Sequence, residues 1–473
     1  MAGQAVQDDY LEKRQLRSGA AGWVLLAGLG VAYVISGDFS GWNAGLAEGG
    51  WGGLLIATIL MATMYTCMVF SIAELSSAIP SAGGGYGFAR RAMGPWGGFL
   101  TGTAILIEYA IAPAAIVVFI GGYVESLDIL GITAGWPLYL VFYAVFVGVH
   151  LYGVGEALKV LFVITVLAVV ALLVFVVGMI PHFDASNLTD IKPDPGASGS
   201  SDFLPFGYVG ILSAFVYGIW FFLAVEGVPL AAEETRDPKR DLPRGLIAAM
   251  LILLVFAALM LTLAPGSAGS STIMDSDNPL PEAATAAGSG GVADFVNYVG
   301  LAGLIASFFS IIFGYSRQLF ALSRAGYLPR ALSVTTSRRV PALALIIPGA
   351  IGFLLAAITE DGPRMIQIAV FGATVSYVLM LLSHIVLRRR EPELERGYTT
   401  PGGVLTSGVG LVLACAAVVA VFTVDVTAAL ITLAVYLAGV LYFALYSRHR
   451  LVAKAPEEEF DAIQKAEKEL AGA

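Results

Sequence analysis

The chain has 473 residues, of which 58% are hydrophobic and 13% charged, against about 25% charged in soluble globular domains; its mean hydropathy is +0.81. That excludes a water-soluble fold and leaves room for about a dozen spans of about 20 apolar residues each. A net charge of −9, with no basic run longer than Arg388, Arg389 and Arg390, argues against a nucleic-acid partner, and two cysteines inside apolar runs, Cys67 and Cys415, leave no disulfide framework or CxxC metal site.

Residues 1–18 mix Asp8, Asp9 and Glu12 with Lys13, Arg14 and Arg17 and lead into an apolar stretch far longer than a signal-peptide core, so no cleaved export signal is expected. From there apolar runs predict twelve spans, over 19–47, 52–79, 95–124, 136–151, 156–180, 206–232, 244–264, 295–324, 341–358, 365–387, 404–424 and 426–447. The first, sixth and eighth are long enough to require tilt or a break. The connections 181–205 and 265–294 are rich in Gly, Ser, Pro and Asp and are predicted as outer polar loops; Asn187-Leu188-Thr189 matches a glycosylation sequon, a triplet frequent by chance. The tail 448–473, with Glu457, Glu458, Glu459, Lys465, Glu467 and Lys468, reads as a short charged helix or a disordered end rather than a domain.

Orientation follows from Lys and Arg. With a cytoplasmic amino terminus, only Lys192 and Arg364 of the 26 basic residues fall outside; the rest, from Lys13 through Arg90, Arg91, Lys159, Arg236, Lys239, Arg240, Arg244 and Arg317 to Lys468, fall inside or at helix ends facing that side. A miscount by one span would scatter this partition. Both ends are therefore expected in the cytoplasm.

Two spans are interrupted. Val34-Ile35-Ser36-Gly37-Asp38-Phe39-Ser40-Gly41 places two glycines, two serines and an acid at mid-depth of the first, and Tyr217-Gly218-Ile219-Trp220 through Glu226-Gly227 and Pro229 does the same in the sixth. Backbone groups freed by such breaks cannot face lipid and must line an enclosed cavity. Spans one and six are five apart, an odd number, so two five-helix units (about 19–180 and 206–387) have opposite orientation, the pattern of carriers with a midplane site at their broken helices. The plain alternative is that Gly and Pro here only permit close packing.

The assembled residues resemble the amino acid-polyamine-organocation transporter superfamily over nearly the whole chain. Ala73-Glu74-Leu75 through Gly83-Gly84-Gly85-Tyr86 and Gly94-Pro95-Trp96-Gly97-Gly98-Phe99 is similar to its link between helices two and three. Glu226 to Arg244 is similar to its sixth helix and following loop, and Ser316-Arg317 with Ala321 to Pro329 to the end of its eighth. More narrowly, Ser36 to Asn43 and Gly83-Gly84-Gly85-Tyr86-Gly87-Phe88-Ala89-Arg90-Arg91 through Glu108-Tyr109-Ala110-Ile111-Ala112-Pro113-Ala114 are similar to ethanolamine permeases. The resemblance implies an all-α integral membrane protein of the inner membrane: twelve helices in a 5+5 inverted repeat with helices 1 and 6 broken, a core over 19–387, and two peripheral helices over 404–447.

Amino acid carriers of this superfamily hold the substrate carboxylate on free N–H groups at the first break. Here Asp38 stands in that segment, where a carboxylate would itself cap those groups and repel an anion. An amine without a carboxylate is therefore expected; the alternative is that Asp38 caps the half-helix and never meets substrate. The intramembrane acids are Asp38, Glu108 and Glu226, each a functional candidate because burying a charge in a bilayer is costly. Glu108, in a span otherwise apolar from Ala104 to Tyr123, is the candidate partner of an ammonium group, and Trp220 matches a position where related amine antiporters stack an aromatic ring on substrate. The bland readings are a carboxylate bonded to a neighbouring helix and a packed core Trp. Ser36, Gly37, Tyr217, Phe221 and Ala224 complete the expected substrate site at the two breaks.

Glu226 resembles a superfamily Glu implicated in proton-sensitive gating, which implies H+ as coupling ion. Na+ stays open: Ala168 stands roughly where some proton-coupled relatives carry a Lys, and Ser307 and Ser310 offer hydroxyls. Glu74, Glu234, Arg236, Arg240 and Arg317 are expected at the cytoplasmic end as a salt-bridge gate or a solvated rim. His150, His182, His384 and His449 lack metal-ligand spacing and read as interfacial residues, and Gly83 to Gly87 lacks the preceding strand and closing Lys-Ser/Thr of a P-loop. No enzyme, metal or cofactor is expected. The resulting expectation is a carrier importing ethanolamine, with an amino acid or polyamine carrier as the alternative and a channel or amine receptor as different-class readings.

Overall fold

A computed structural model describes residues 21–81, 83–128, 131–153 and 157–452, with backbone alone at 157–159. The basic residues Lys13, Arg14 and Arg17, the Lys159 side chain and the tail from Lys454 onward, with Lys465 and Lys468, lie outside the described residues. The described residues are helical, apart from turns and an isolated parallel bridge between Ala21 and Thr235.

In chain order the helices are α1 (Trp23–Val34), α2 (Ser36–Phe39), α3 (Ala44–Ala78), α4 (Gly85–Ser126), α5 (Trp136–Tyr152), α6 (Ala157–Met179), α7 (Gly207–Trp220), α8 (Pro238–Ala268), α9 (Ser270–Ile273), α10 (Pro279–Ala286), α11 (Gly290–Arg324), α12 (Ala342–Thr359), α13 (Gly362–Arg390), α14 (Val404–Val424) and α15 (Val426–Leu445). A 3-10 segment, Val225–Glu234, continues α7 after its break. Among the described residues, 10 helices are long and apolar enough to cross a membrane, and α1 and α5 are shorter apolar helices.

The apolar periodicity explains which faces meet lipid. On α6, Ala168, Ala171, Leu172 and Phe175 follow a helical stripe and are buried, while Val166, Val170, Leu173 and Val177 point outward as exposed apolar surface. Such a helix is apolar all round because its outer solvent is hydrocarbon, and its small inward residues let neighbouring backbones approach. The same sorting exposes Val412, Val419, Leu437, Leu441 and Leu445 on α14 and α15. Helix α4 is the central strut: it packs on α13, α11 and α12 and carries the fully buried Glu108.

Two of the differences from the sequence expectation have a clear physical cause. Helix α4 begins at Gly85 rather than near 95, because a helical lead-in joins the span across a kink at Gly94 (φ 75°, ψ −167°) just before Pro95. The connection 265–294, expected as a polar loop, is helical: α8 runs to Ala268, α9 and α10 follow, and Leu280, Pro281, Ala283 and Ala284 are buried. Its small residues and prolines serve close packing and helix starts rather than solvation. The segment after α9 sits on the first break, with Asn43 Nδ2 donating to the carbonyls of Ile273 (2.7 Å) and Ser276 (2.8 Å), and Ser40 Oγ to that of Asp277 (2.7 Å).

Candidate functional site

The first interruption lies between α1 and α3. The chain turns at Ile35, makes the single turn α2 and becomes extended at Ser40. Its mid-depth groups are satisfied by Ser307 of α11: the Ser36 N–H donates to Ser307 Oγ (3.0 Å), which donates to the Ala32 carbonyl (2.7 Å). Ser307 thus fills the role expected of Asp38. Asp38 does not cap anything: it is fully buried, and neither carboxylate oxygen has a hydrogen-bond partner. Its own N–H is spent on the Ile35 carbonyl (3.1 Å) in a local turn.

The second interruption falls at Ala224, which adopts left-handed backbone (φ 76°, ψ 6°) between α7 and the 3-10 segment. The two breaks touch. A Cβ at Gly37 would collide with the Trp220 carbonyl oxygen, so only glycine permits this approach. Trp220 Nε1 donates to the Ser40 carbonyl (2.9 Å), and its ring meets Phe119 edge-on at 6.4 Å. Below it, Tyr33, Val34, Ser36, Trp220, Leu223 and Ile311 surround a space too tight for a water molecule. Of the other expected residues, Phe221 stacks on Trp42 (5.4 Å), and Tyr217 is buried, its hydroxyl accepting from Gln367 Nε2 (3.4 Å).

Glu108 and Glu226, expected in separate roles, belong to one buried cluster. They lie within hydrogen-bonding reach of each other, and the Oε2 atom of each has no donor. Tyr109 donates to Glu226 Oε1 (3.3 Å), Tyr377 to Glu108 Oε1 (3.4 Å), and the Tyr65 and Tyr377 hydroxyls meet at 2.7 Å. Tyr33 stacks on Tyr109 at 6.2 Å, its hydroxyl without a partner. Two carboxyl groups share a hydrogen bond only when one holds a proton, and two adjacent bare carboxylates repel. The cluster can therefore hold a proton or an ammonium group between its acids. Sequence reading found the acids and missed Tyr33, Tyr65, Tyr109 and Tyr377, since a tyrosine in an apolar span carries no signal of its partner.

Outside Trp220 a vestibule of about 230 Å3 is lined by Tyr217, Phe119, Glu48, Asp275 and Asp277 among others. Burial, then the charges of Asp361 and Glu125, push the Asp277 carboxyl above its ordinary value.

The expected gate resolves into separate pieces. Arg317 pairs with Glu234 (2.7 Å), both nearly buried, with Arg317 over the Phe313 ring at 4.4 Å. Arg324, just beyond, pairs with Glu233 (2.7 Å). Glu74 is not part of this set. It is fully buried and bound by Arg388 Nε (2.7 Å), Arg396 Nε (2.8 Å), His384 Nε2 (3.1 Å) and the Thr400 N–H (2.7 Å). Arg240 is exposed and sits 3.9 Å from Asp237 on its own turn, and Arg236 is exposed. His384, expected at an interface, is buried, its Nδ1 2.6 Å from Ser407 Oγ. His150 is also buried, against Phe309 at 4.0 Å. Ser310 bonds only its own helix at Ala306, and Ala168 packs against Gly303. Among the described residues no group of three or more His, Cys, Asp or Glu is arranged to hold a metal ion.

Paired helix breaks closed on one another inside an apolar bundle, with buried acids beside them, are the features of a membrane transporter of solutes. The amino acid permease family model matches residues 24–461, and the chain belongs to that family of multi-pass integral membrane transporters. It is 28% identical over 438 residues to an uncharacterized transporter of Rhizobium meliloti (strain 1021), covering 91% of this chain and 92% of that one. It is 27% identical to a branched-chain amino acid permease of Bacillus subtilis (strain 168), covering 84% of this chain and 86% of the other. A methylthioribose transporter of the same organism is 24% identical over 78% of this chain and 79% of its own.

Proposed function

We propose that the chain is a proton-coupled secondary carrier that imports a small ammonium-bearing solute, with ethanolamine as the candidate, by alternating access. The observation that carries this reading is the buried Glu108–Glu226 pair with its phenol donors Tyr109 and Tyr377: a cation or a proton satisfies it, and an anion does not. Asp38 adds a second unpaired carboxylate at the first break. The backbone there offers a carboxylate little, since the N–H groups of Ser36, Asp38 and Ser40 are bonded to Ser307 Oγ and to the Ile35 and Ser36 carbonyls. Ser36, Gly37, Asp38, Tyr217, Trp220, Phe221 and Ala224 form the substrate path in this reading. Glu226 and Glu108 exchange the coupling proton, and Arg317–Glu234 with Arg324–Glu233 close the cytoplasmic side. Helices α1 and α5 complete twelve spans, ten in two inverted five-helix units, with both termini in the cytoplasm and the chain in the inner membrane.

A second reading, an amino acid permease, is favoured by the family itself and by the branched-chain permease among the relatives. Uptake of labelled ethanolamine and of labelled leucine into proteoliposomes, under imposed proton and sodium gradients, separates the two. Saturable, proton-driven ethanolamine uptake that millimolar serine, alanine or leucine leaves unchanged supports the first. Leucine uptake without ethanolamine uptake replaces it with the second, and flux without saturation or counterflow points to a channel.

A further inference from the structure

We infer that the cleft between the end of α11 and the end of α15 is a binding site for a phosphate-bearing anion, supplied by the headgroup of an anionic phospholipid. The cleft measures about 420 Å3, and among the described residues its lining includes Arg330, Tyr442, Tyr446, Ser447, His449 and Arg450 and no Asp or Glu. The Arg450 guanidinium lies over the Tyr446 ring at 4.0 Å, and Arg448 Nε donates to His449 Nε2 (2.9 Å), bringing a further cation to the rim. The decisive group is Ser447. Its side chain is 1% exposed and its hydroxyl has no hydrogen-bond partner, although it lines a polar cleft. A buried hydroxyl left without a partner costs about 1–3 kcal/mol, and a phosphate oxygen in the cleft would accept its proton.

The walls are fixed by backbone. Val452 N–H donates to the Ala325 carbonyl (2.9 Å), strapping the chain after α15 beneath the end of α11. Gly326 has φ +89°, and a Cβ there would strike the Arg450 carbonyl oxygen, so glycine alone allows the strap to pass. Tyr327, beside it, stacks on Phe443 at 5.6 Å. A lipid is favoured over a soluble phosphate because the same turns of α15 expose Leu441 (60%) and Leu445 (79%) as bare apolar surface along which acyl chains can lie. Each basic residue near a membrane surface attracts anionic lipid by about 1 kcal/mol.

The test uses the full chain, reconstituted in mixed vesicles of phosphatidylcholine and phosphatidylglycerol, extracted in detergent and examined by native mass spectrometry. One phosphatidylglycerol should be retained in preference to phosphatidylcholine, and Arg330→Gln with Arg450→Gln, tested as folded, monodisperse protein, should lower that preference about ten-fold or more. Should that double variant fail to fold, Ser447→Ala serves, with a smaller loss in the same direction. In a parallel arm, inorganic phosphate at millimolar concentration is added to delipidated protein. A rise in melting temperature that the variants abolish, without lipid preference, keeps the phosphate site and assigns it to a soluble source. Equal retention of both lipids with no response to phosphate overturns the inference, as does a folded variant that retains the wild-type preference.

Discussion

Glu74 and Glu226 are both acids buried in an apolar bundle, yet their surroundings differ completely. Glu74 is surrounded by cations and donors, namely Arg388, Arg396, His384 and the Thr400 N–H, which tie α3 to the end of α13 and the segment leading to α14. Glu226 faces a second acid, Glu108, and its donors are phenols. The first carboxylate is permanently compensated and has no reason to change charge. The second needs a mobile positive partner, a proton or an ammonium ion, to be comfortable where it is. Burial of an acid in a membrane bundle therefore marks either a fastening or a working site, and the chemistry of its partners decides which.

This contrast can be broken by experiment. The largest effect is expected from Glu74→Leu, which leaves Arg388, Arg396 and His384 facing no charge. Removing one partner of a buried ion pair costs about 3–5 kcal/mol, so monodisperse yield and melting temperature should fall sharply; a variant that melts like wild type would remove the fastening role. Next, Glu226→Gln and Glu108→Gln should each melt close to wild type yet lose uptake by more than about ten-fold, a size consistent with losing one charge-assisted interaction. The Glu226→Gln protein should also lose its response to a proton gradient in counterflow. If either keeps wild-type ethanolamine affinity, the shared-proton role is wrong.

Ser307→Ala is intermediate. It strands the Ser36 N–H and the Ala32 carbonyl at the first break, at a cost of about 1–3 kcal/mol, and should lower both melting temperature and uptake. Smaller still, Trp220→Phe removes the bond to the Ser40 carbonyl, worth about 1 kcal/mol, and is expected to raise KM more than it lowers kcat for transport. The smallest effect concerns Asp277. Its carboxyl is held above its ordinary value, so its ionised form opposes the docked state. Docking is fully favoured below the ordinary aspartate value of about 4 and weakens as pH rises through the elevated value. Hydrogen exchange across 273–277, corrected for intrinsic rate, should slow as pH falls from the elevated value toward about 4, and Asp277→Asn should abolish the trend.

Much of the fold was legible in the apolar runs. The predicted spans at 136–151, 156–180, 404–424 and 426–447 agree with α5, α6, α14 and α15 to within two residues, because a lipid-facing helix is apolar around its whole circumference. The segment 265–294 reads as a polar loop yet is largely helical, because Gly, Ser and Pro mean solvent in a soluble protein and close packing in a membrane one. Both breaks were visible as glycines and acids at mid-depth. That Ser307 and not Asp38 satisfies the first was not, since the two are brought together by helices far apart in the chain.

Sequence alone determined that this protein lies in a bilayer, where most of its long apolar helices run, that two of them are interrupted, and that Asp38, Glu108 and Glu226 stand among apolar residues. Those properties follow from local composition, which hydrocarbon reads directly. Only the tertiary structure decided what each acid meets: Glu108 lies against Glu226 and its tyrosines, Glu74 under two arginines and a histidine, and Asp38 with no partner. The pairing of buried charges depends on contacts between distant helices, and no span carries the identity of its neighbours in its own residues.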